Sequence, residues 1–112
     1  MMKTQKEKKI GRREFYATVL DAVNAERPRG AKLDVNPFNT KLRDALGILA
    51  EFEDGYIIGL ARNTRTGRRA YYRDVMQRTK HDVNPLQKIL ATMLNQLGLL
   101  DDATIIRLVR GK

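Results

Sequence analysis

Apolar side chains recur at three- and four-residue spacing in three stretches of the chain, which is typical of amphipathic helices. The first stretch covers residues 13–25, where Phe15 and Val19 lie one turn apart. The other two cover residues 36–53 and 84–98, and each begins with Asn-Pro. That pair suits a helix N-terminus because Asn accepts hydrogen bonds from free amides and Pro fits the first turn. In the second helix, Asn39 and Thr40 are rival caps. The pattern therefore predicts three helices.

The segments between and after these helices predict strands. Residues 31–35 alternate polar and apolar side chains, as a half-buried strand does. Residues 56–61 and 68–73 contain β-branched and aromatic side chains and flank a turn ending at Gly67, which predicts a hairpin, and residues 104–109 predict a final strand. The predicted fold class is α+β, with an α-β-α-β-β N-terminal domain followed by a reduced α-β C-terminal segment.

This order divides the chain into three predicted parts. Residues 1–13 form a basic N-terminal arm, residues 14–75 form the α-β-α-β-β domain, and residues 76–112 form a reduced C-terminal domain of one helix and one strand. The stretch 74–81 is equally compatible with a loop and a helix.

One internal similarity crosses these boundaries. Asp34-Val35-Asn36-Pro37 recurs as Asp82-Val83-Asn84-Pro85, followed in register by Leu42/Leu90, Leu46/Leu94, Leu49/Leu97, Ile57/Ile105 and Ile58/Ile106. Two accounts fit: a duplicated helix-strand unit, or two cap-helix-turn-strand units that share apolar positions by pattern alone. From the sequence, the second account is favoured.

The composition excludes several classes of protein. The chain has 112 residues, no Cys, no Ser and a single His, His81, which excludes disulfides, thiolate zinc sites and Ser or Cys nucleophiles. The carboxylates cluster at predicted helix ends, where solvated acids are common, namely at Glu51, Glu53, Asp54, Asp101 and Asp102. No apolar run reaches the roughly 18 residues of a membrane-spanning helix. We predict no enzyme activity, metal, cofactor, small-molecule substrate or membrane partner.

Positive charge, by contrast, is in clear excess. The chain has 22 Lys and Arg against 13 Asp and Glu, a net charge of +9. The excess lies in the N-terminal arm, in the turn at 27–32, and between Arg62 and Arg73, where there is no acid. Cations displace counterions from phosphates, and Arg side chains also stack on bases. Aromatic side chains stack on bases too, and Tyr71 and Tyr72 lie among these arginines. Nucleic acid, and RNA in particular, is the predicted partner.

Residues from about Gly11 to Tyr72 resemble a known family. The likeness is carried by Gly11-Arg12-Arg13, Leu20, Val23-Asn24-Ala25-Glu26, Arg29-Gly30, Pro37, Leu46, Leu49 and Gly55-Tyr56-Ile57. These residues resemble the small-subunit ribosomal protein eight family, whose members begin with a helix ending in Asn-Ala, followed by a basic turn. The N-terminal domain of that family has the element order α-β-α-β-β.

The resemblance implies a structural constituent of the small ribosomal subunit that binds and stabilises a central-domain rRNA junction. Residues 107–110 lack the hydroxyl side chains of the corresponding family loop, and the sequence stops at Lys112, before the family's closing strand. These departures predict a derived ribosome, mitochondrial rather than cytoplasmic. Neighbouring ribosomal proteins are expected as partners, one of them pairing with the free edge of the 104–109 strand.

The RNA-contacting residues are predicted from charge and from the resemblance together. They are Arg12, Arg13, Asn24, Arg27, Arg29, Lys32, Asn39, Lys41, Arg62, Arg65, Arg68, Arg69 and Tyr71. The cations are assigned to phosphates, because proteins hold A-form RNA mainly through its backbone and 2′-hydroxyls. Asn24, Asn39 and Tyr71 are assigned to bases or sugars.

Two alternatives stay open. The helix at 39–53 and the basic hairpin after it also resemble the recognition helix and wing of a winged-helix DNA-binding regulator. Against this reading, the outward face of that helix carries Asp44, Glu51 and Glu53, which DNA phosphates would repel. The other alternative is a protein that only bridges other proteins in an assembly.

Overall fold

The computed structural model describes residues 10–79 and 83–111, and every regular element in these ranges is helical. The helices are α1 (Arg12–Asn24), α2 (Val35–Leu49), α3 (Asp54–Arg62), α4 (Arg68–Thr79), α5 (Val83–Leu97) and α6 (Asp102–Arg110). A short 3-10 turn, Arg29–Ala31, lies between α1 and α2. The described part of the chain contains no strand, so the α+β prediction is wrong.

The predicted hairpin forms two helices instead. In α3, the buried residues Leu60 and Ala61 lie three and four positions after the buried Ile57, which places all three on one helical face. In α4, Tyr71 and Val75 are buried one turn apart. Short apolar runs of this kind satisfy strand and helix patterns equally well, and here packing against neighbouring helices decides in favour of the helix.

The predicted final strand is helix α6. Asp101 caps it, because its carboxylate accepts hydrogen bonds from the Thr104 backbone amide at 3.2 Å and from the Thr104 hydroxyl at 2.6 Å. These hydrogen bonds lower the pKa of Asp101. The 104–109 segment therefore has no strand edge, and the expected pairing with a neighbouring protein loses its basis. The predicted 31–35 strand is likewise absent: Ala31 ends the 3-10 turn, residues 32–34 are loop, and α2 begins at Val35.

The three predicted helices are confirmed, with small shifts at their ends. Predicted bounds of 13–25 and 84–98 compare with Arg12–Asn24 and Val83–Leu97 in the structure. Helix α2 begins at Val35, after Asp34 at the N-cap position, so Asn36 lies within the first turn and is not the cap. It ends at Leu49, and Phe52 lies in the following turn.

One core joins all six helices. Its largest fully buried side chains include Phe15, Leu46, Ile57, Tyr71 and Leu90, which come from five of them, and α6 contributes three more apolar residues. Position 75/76, the predicted domain boundary, lies inside α4. Most of the predicted basic arm (residues 1–9) and His81 lie outside the described residues.

The internal similarity extends to the three-dimensional structure. Helices α5 and α6 begin and end 48 residues after α2 and α3 (83–97 against 35–49, and 102–110 against 54–62). Ahead of them, Gly67-Arg68-Arg69 at the start of α4 repeats Gly11-Arg12-Arg13 at the start of α1. The described helices therefore form two three-helix repeats, α1-α2-α3 and α4-α5-α6, and the duplication account is favoured over coincidence.

The two repeats are interlaced rather than placed side by side. Helix α1 packs against α5 of the other repeat, and α4 packs in the equivalent way against α2. Helix α3 packs against α5, and α6 against α2. Because each contact between repeats has an equivalent in the opposite direction, the helices follow a pseudo-twofold arrangement in which each repeat completes the core of the other.

Candidate nucleic-acid interface

Two of the predicted RNA-contacting arginines bind helix C-termini within the protein. Arg12, the first residue of α1, donates from Nε to the Leu108 carbonyl at 2.8 Å and from Nη2 to the Val109 carbonyl at 2.9 Å. Arg68, the first residue of α4, donates to the Leu60 and Ala61 carbonyls at 2.8 and 3.1 Å. The acceptors in the two repeats are equivalent positions, 48 residues apart. Both arginines donate to carbonyls in the last turn of a helix, where the helix itself supplies few donors.

A second pair of equivalent arginines, Arg62 and Arg110, binds the N-terminal ends of α6 and α3. Arg62 donates to the Leu100 carbonyl and forms an ion pair with Asp102, both at 2.7 Å. Its equivalent, Arg110, donates to the Phe52 carbonyl at 3.0 Å and contacts Asp54 at 2.6 Å. We call Arg12, Arg62, Arg68 and Arg110 the clamp arginines, because each ties the end of one helix to another helix. Each of them uses at least one guanidinium nitrogen in contacts within the fold.

Three further predicted residues hold the connection between α1 and α2. Asn24 exchanges hydrogen bonds with the backbone of Leu33, accepting at 2.8 Å and donating at 3.4 Å. Arg27 donates to the Ala31 carbonyl at 2.6 Å, and the Lys32 ammonium donates to the Asn24 carbonyl at 2.6 Å. These hydrogen bonds hold the connection in place without the strand predicted at residues 31–35. They give these residues an internal structural role.

Two predicted residues contact aromatic or buried groups. The Arg65 guanidinium lies 4.4 Å from the centre of the Tyr56 ring, a cation–π distance. Tyr71 is 2% exposed, and its hydroxyl donates to the Ala45 carbonyl at 2.6 Å. Burial raises the pKa of Tyr71 far above its usual value. Stacking of Tyr71 on a base, as predicted, is excluded because its ring is inside the core.

The remaining predicted residues are Arg13, Arg29, Asn39, Lys41 and Arg69. Arg13 and Arg69 are exposed at equivalent places in α1 and α4, and Arg29 is exposed in the 3-10 turn. Asn39 and Lys41 are half-buried on α2, and Lys41 lines an open groove with Phe38. The thirteen predicted residues are thus distributed over α1, α2, α3 and α4 and the connections between them.

One groove brings together side chains with the right chemistry for nucleic acid. Arg69, Tyr72, Arg73 and Met76 of α4 and Gln87 of α5 line an open groove of about 300 Å³. Leu86 and Leu90 form an apolar floor next to it, again beside Tyr72. We call this feature the α4 groove. Residues 69, 72 and 73 share one helical face because they are three and four positions apart.

The two arginines of the α4 groove are available for an external anion. Both are exposed, and neither makes a hydrogen bond or ion pair with the residues that the structure describes. Their guanidinium groups present bidentate donors of the kind that match phosphate. Tyr72 adds a half-buried aromatic ring, and Gln87 adds an amide that both donates and accepts.

The prediction from sequence missed part of this groove. The sequence places Arg73 in the basic segment but gives no reason to include it among the contacts, and it does not distinguish Tyr72 from Tyr71. Had residues 68–79 been predicted as a helix, the spacing of Arg69, Tyr72 and Arg73 would have identified a common face. Gln87 had no signal in the sequence, because its proximity to α4 depends on the packing of α5.

Comparisons of the chain with protein-family models, with curated proteins and with solved structures find no match. Within the described residues, no group of three or more His, Asp or Glu side chains is placed to hold a metal ion. None of the helices in these residues has the length and apolar character needed to span a bilayer.

Proposed function

We propose that the protein is a non-catalytic RNA-binding protein that holds single-stranded or looped RNA in the α4 groove. The observation that carries this proposal is the common face of Arg69, Tyr72 and Arg73, with both arginines exposed and unpaired in the described part of the chain. In this proposal the arginines bind successive phosphates, and the Tyr72 ring stacks on a base between them.

The aromatic ring favours unpaired nucleotides over a duplex. A base in a duplex is already stacked on its neighbours, whereas the bases of loops and single strands are free to stack on an aromatic side chain. Gln87 lies across the groove from α4 and has the donors and acceptor needed to contact a base edge. This combination of phosphate, stacking and edge contacts is typical of single-strand recognition.

The described part of the chain does not have the element order on which the ribosomal and winged-helix predictions rest. The ribosomal resemblance rests on residues between Gly11 and Tyr72, but the element order that it implies is absent from the described helices. A role on a central-domain rRNA junction, in a mitochondrial or other ribosome, is retained as a hypothesis that makes this junction one of the test ligands. The winged-helix alternative is dropped, because its wing is α3 and α4.

Replacing both groove arginines in R69A/R73A is expected to weaken RNA binding about tenfold near physiological salt. Each lost phosphate contact should also lower the magnitude of the salt slope by about one, hence by about two for the pair. The measurement is fluorescence anisotropy across several salt concentrations with a single-stranded RNA of about ten nucleotides. The rRNA junction and a DNA duplex serve as comparison ligands.

Arg43→Glu is the matched control. It changes the net charge by the same amount, and the Arg43 side chain is 65% exposed on α2, outside the α4 groove. The control is expected to keep most of the affinity. Equal losses in R43E and R69A/R73A would show that binding follows net charge alone, and no binding by the unmodified protein would overturn the proposal.

A further inference from the structure

We infer that α1 carries a second RNA-binding site, equivalent to the α4 groove, so that one chain holds two RNA segments. This inference rests on the proposed function. Alignment of the two repeats places Arg13 at the position of Arg69, and Tyr16 at the position of Tyr72. Asn39 of α2 takes the position of Gln87 of α5.

The alignment of the two repeats rests on equivalent contacts as well as on identical residues. Arg12 and Arg68, each the residue just before the site, bind equivalent carbonyls at the ends of α6 and α3. The helices of the two sites also pack alike, since α1 contacts α2 as α4 contacts α5. The surfaces that follow Arg12 and Arg68 are therefore presented in equivalent ways by the two repeats.

The second site keeps the essential groups and loses one cation. Arg13 is exposed and makes no hydrogen bond or ion pair with the described residues, and Tyr16 is half-buried against the core, as Tyr72 is. Ala17 stands where the α4 groove has Arg73. With one phosphate contact instead of two, the α1 site is the weaker of the pair, and its salt slope is smaller by about one.

Two sites on one folded chain have a consequence for longer RNA. Once one segment is bound, a second segment of the same strand binds intramolecularly, provided that the intervening nucleotides span the distance between the sites. A strand long enough to reach both sites therefore binds more tightly than two short ones. The chemical class of the second ligand is the same as that of the first: a single-stranded or looped stretch of RNA.

The test is the stoichiometry of a short RNA of about six nucleotides, measured by calorimetry at low salt. The unmodified protein is expected to bind two molecules per chain, with unequal affinities. Arg13→Glu should leave one, the tighter, and R69A/R73A should leave one, the weaker. Glutamate is acceptable in the first turn of α1, because it interacts favourably with the helix dipole there.

The control here is Arg29→Glu, because Arg29 is exposed in the 3-10 turn that follows the C-terminal end of α1, whereas Arg13 lies at its N-terminal end. This variant should still bind two molecules, and thermal unfolding checks that each variant is folded. One molecule per chain for the unmodified protein, with affinity unchanged in R13E, would overturn this inference and leave the proposed function intact. No binding by the unmodified protein would overturn the proposed function itself. Loss of both sites in R13E alone would also contradict the inference, because it requires two separable sites.

Discussion

Gly98→Ala is expected to lower the free energy of unfolding by about 3 kcal/mol. Gly98 follows α5, and a β carbon placed on it would overlap the Ala61 carbonyl oxygen at the end of α3 and lie 3.4 Å from Arg62 Cα. These are backbone atoms, so they cannot turn aside as a side chain would. The Ala61 carbonyl is also held by Arg68 at 3.1 Å, which resists its displacement.

Gly47→Ala provides the matched control for this prediction. Gly47 is exposed in the middle of α2, and nothing lies within 4 Å of a β carbon built there. Because alanine is the better helix former, this variant should be more stable than the unmodified protein by about 1 kcal/mol. Denaturant unfolding followed by circular dichroism measures both. A Gly98→Ala protein as stable as the unmodified one would show that α3 and α5 are farther apart than described.

Arg68→Ala is expected to cost about 2 kcal/mol of stability while leaving the salt slope of RNA binding unchanged. The change removes donors from the carbonyls of Leu60 and Ala61 and from the Asn95 side chain. Charged donors contribute more than neutral ones, and both carbonyls belong to buried residues that Arg68 reaches through part-buried hydrogen bonds. The measurement is again denaturant unfolding, combined with the RNA titration.

The neighbouring residue and the equivalent residue of the other repeat are the controls. Arg69→Ala should change stability by less than about 0.5 kcal/mol, since Arg69 is exposed and unpaired in the described part of the chain. Arg12→Ala should destabilise about as much as Arg68→Ala, because both bind the equivalent carbonyls of α6 and α3. If Arg68→Ala instead reduced the salt slope by one and left stability unchanged, the division between clamp and groove arginines would be wrong.

The long helices could be predicted from the sequence, and the short ones could not. In α1, α2 and α5 the apolar stripe continues for three or four turns, so only a helix buries it on one side. In α3 and α6, nine residues each, Ile57-Ile58 and Ile105-Ile106 satisfy a strand pattern equally well. What decides is the neighbouring helix, α5 for α3 and α2 for α6, and this contact is not visible in local sequence.

The repeat was visible in part. The shared Asp-Val-Asn-Pro and the leucine stripes indicated it, and the two Gly-Arg-Arg motifs at 11–13 and 67–69 would have extended it to the first helix of each unit. The motif at 11–13 lies farther from α2 than the motif at 67–69 lies from α5, because the connection after α1 is longer than the one after α4. This difference in spacing hides the equivalence of the two motifs in the sequence. A fixed-period comparison therefore finds only two of the three helices of each repeat.

The excess of positive charge predicts a polyanionic partner, but it does not identify the residues that bind it. Arg12 and Arg13 are neighbours with the same side chain, yet one binds the carbonyls at the end of α6 and the other is exposed. The same holds for Arg68 and Arg69. Arg12 is internal because it contacts Leu108, 96 positions away, and Arg68 is internal because it contacts Leu60, 8 positions away. Only the folded structure shows these contacts.

We propose that RNA occupies the α4 groove, and photo-cross-linking locates the bound RNA on the protein surface. A single-stranded RNA carrying photoreactive 4-thiouridine would be irradiated in complex with the full chain, and the attached peptides identified by mass spectrometry. We predict that the main cross-links fall on Tyr72 and the residues next to it in the groove, and that they disappear in R69A/R73A but persist in R43E. Cross-links confined to other surfaces, unaffected by R69A/R73A, would contradict the claim.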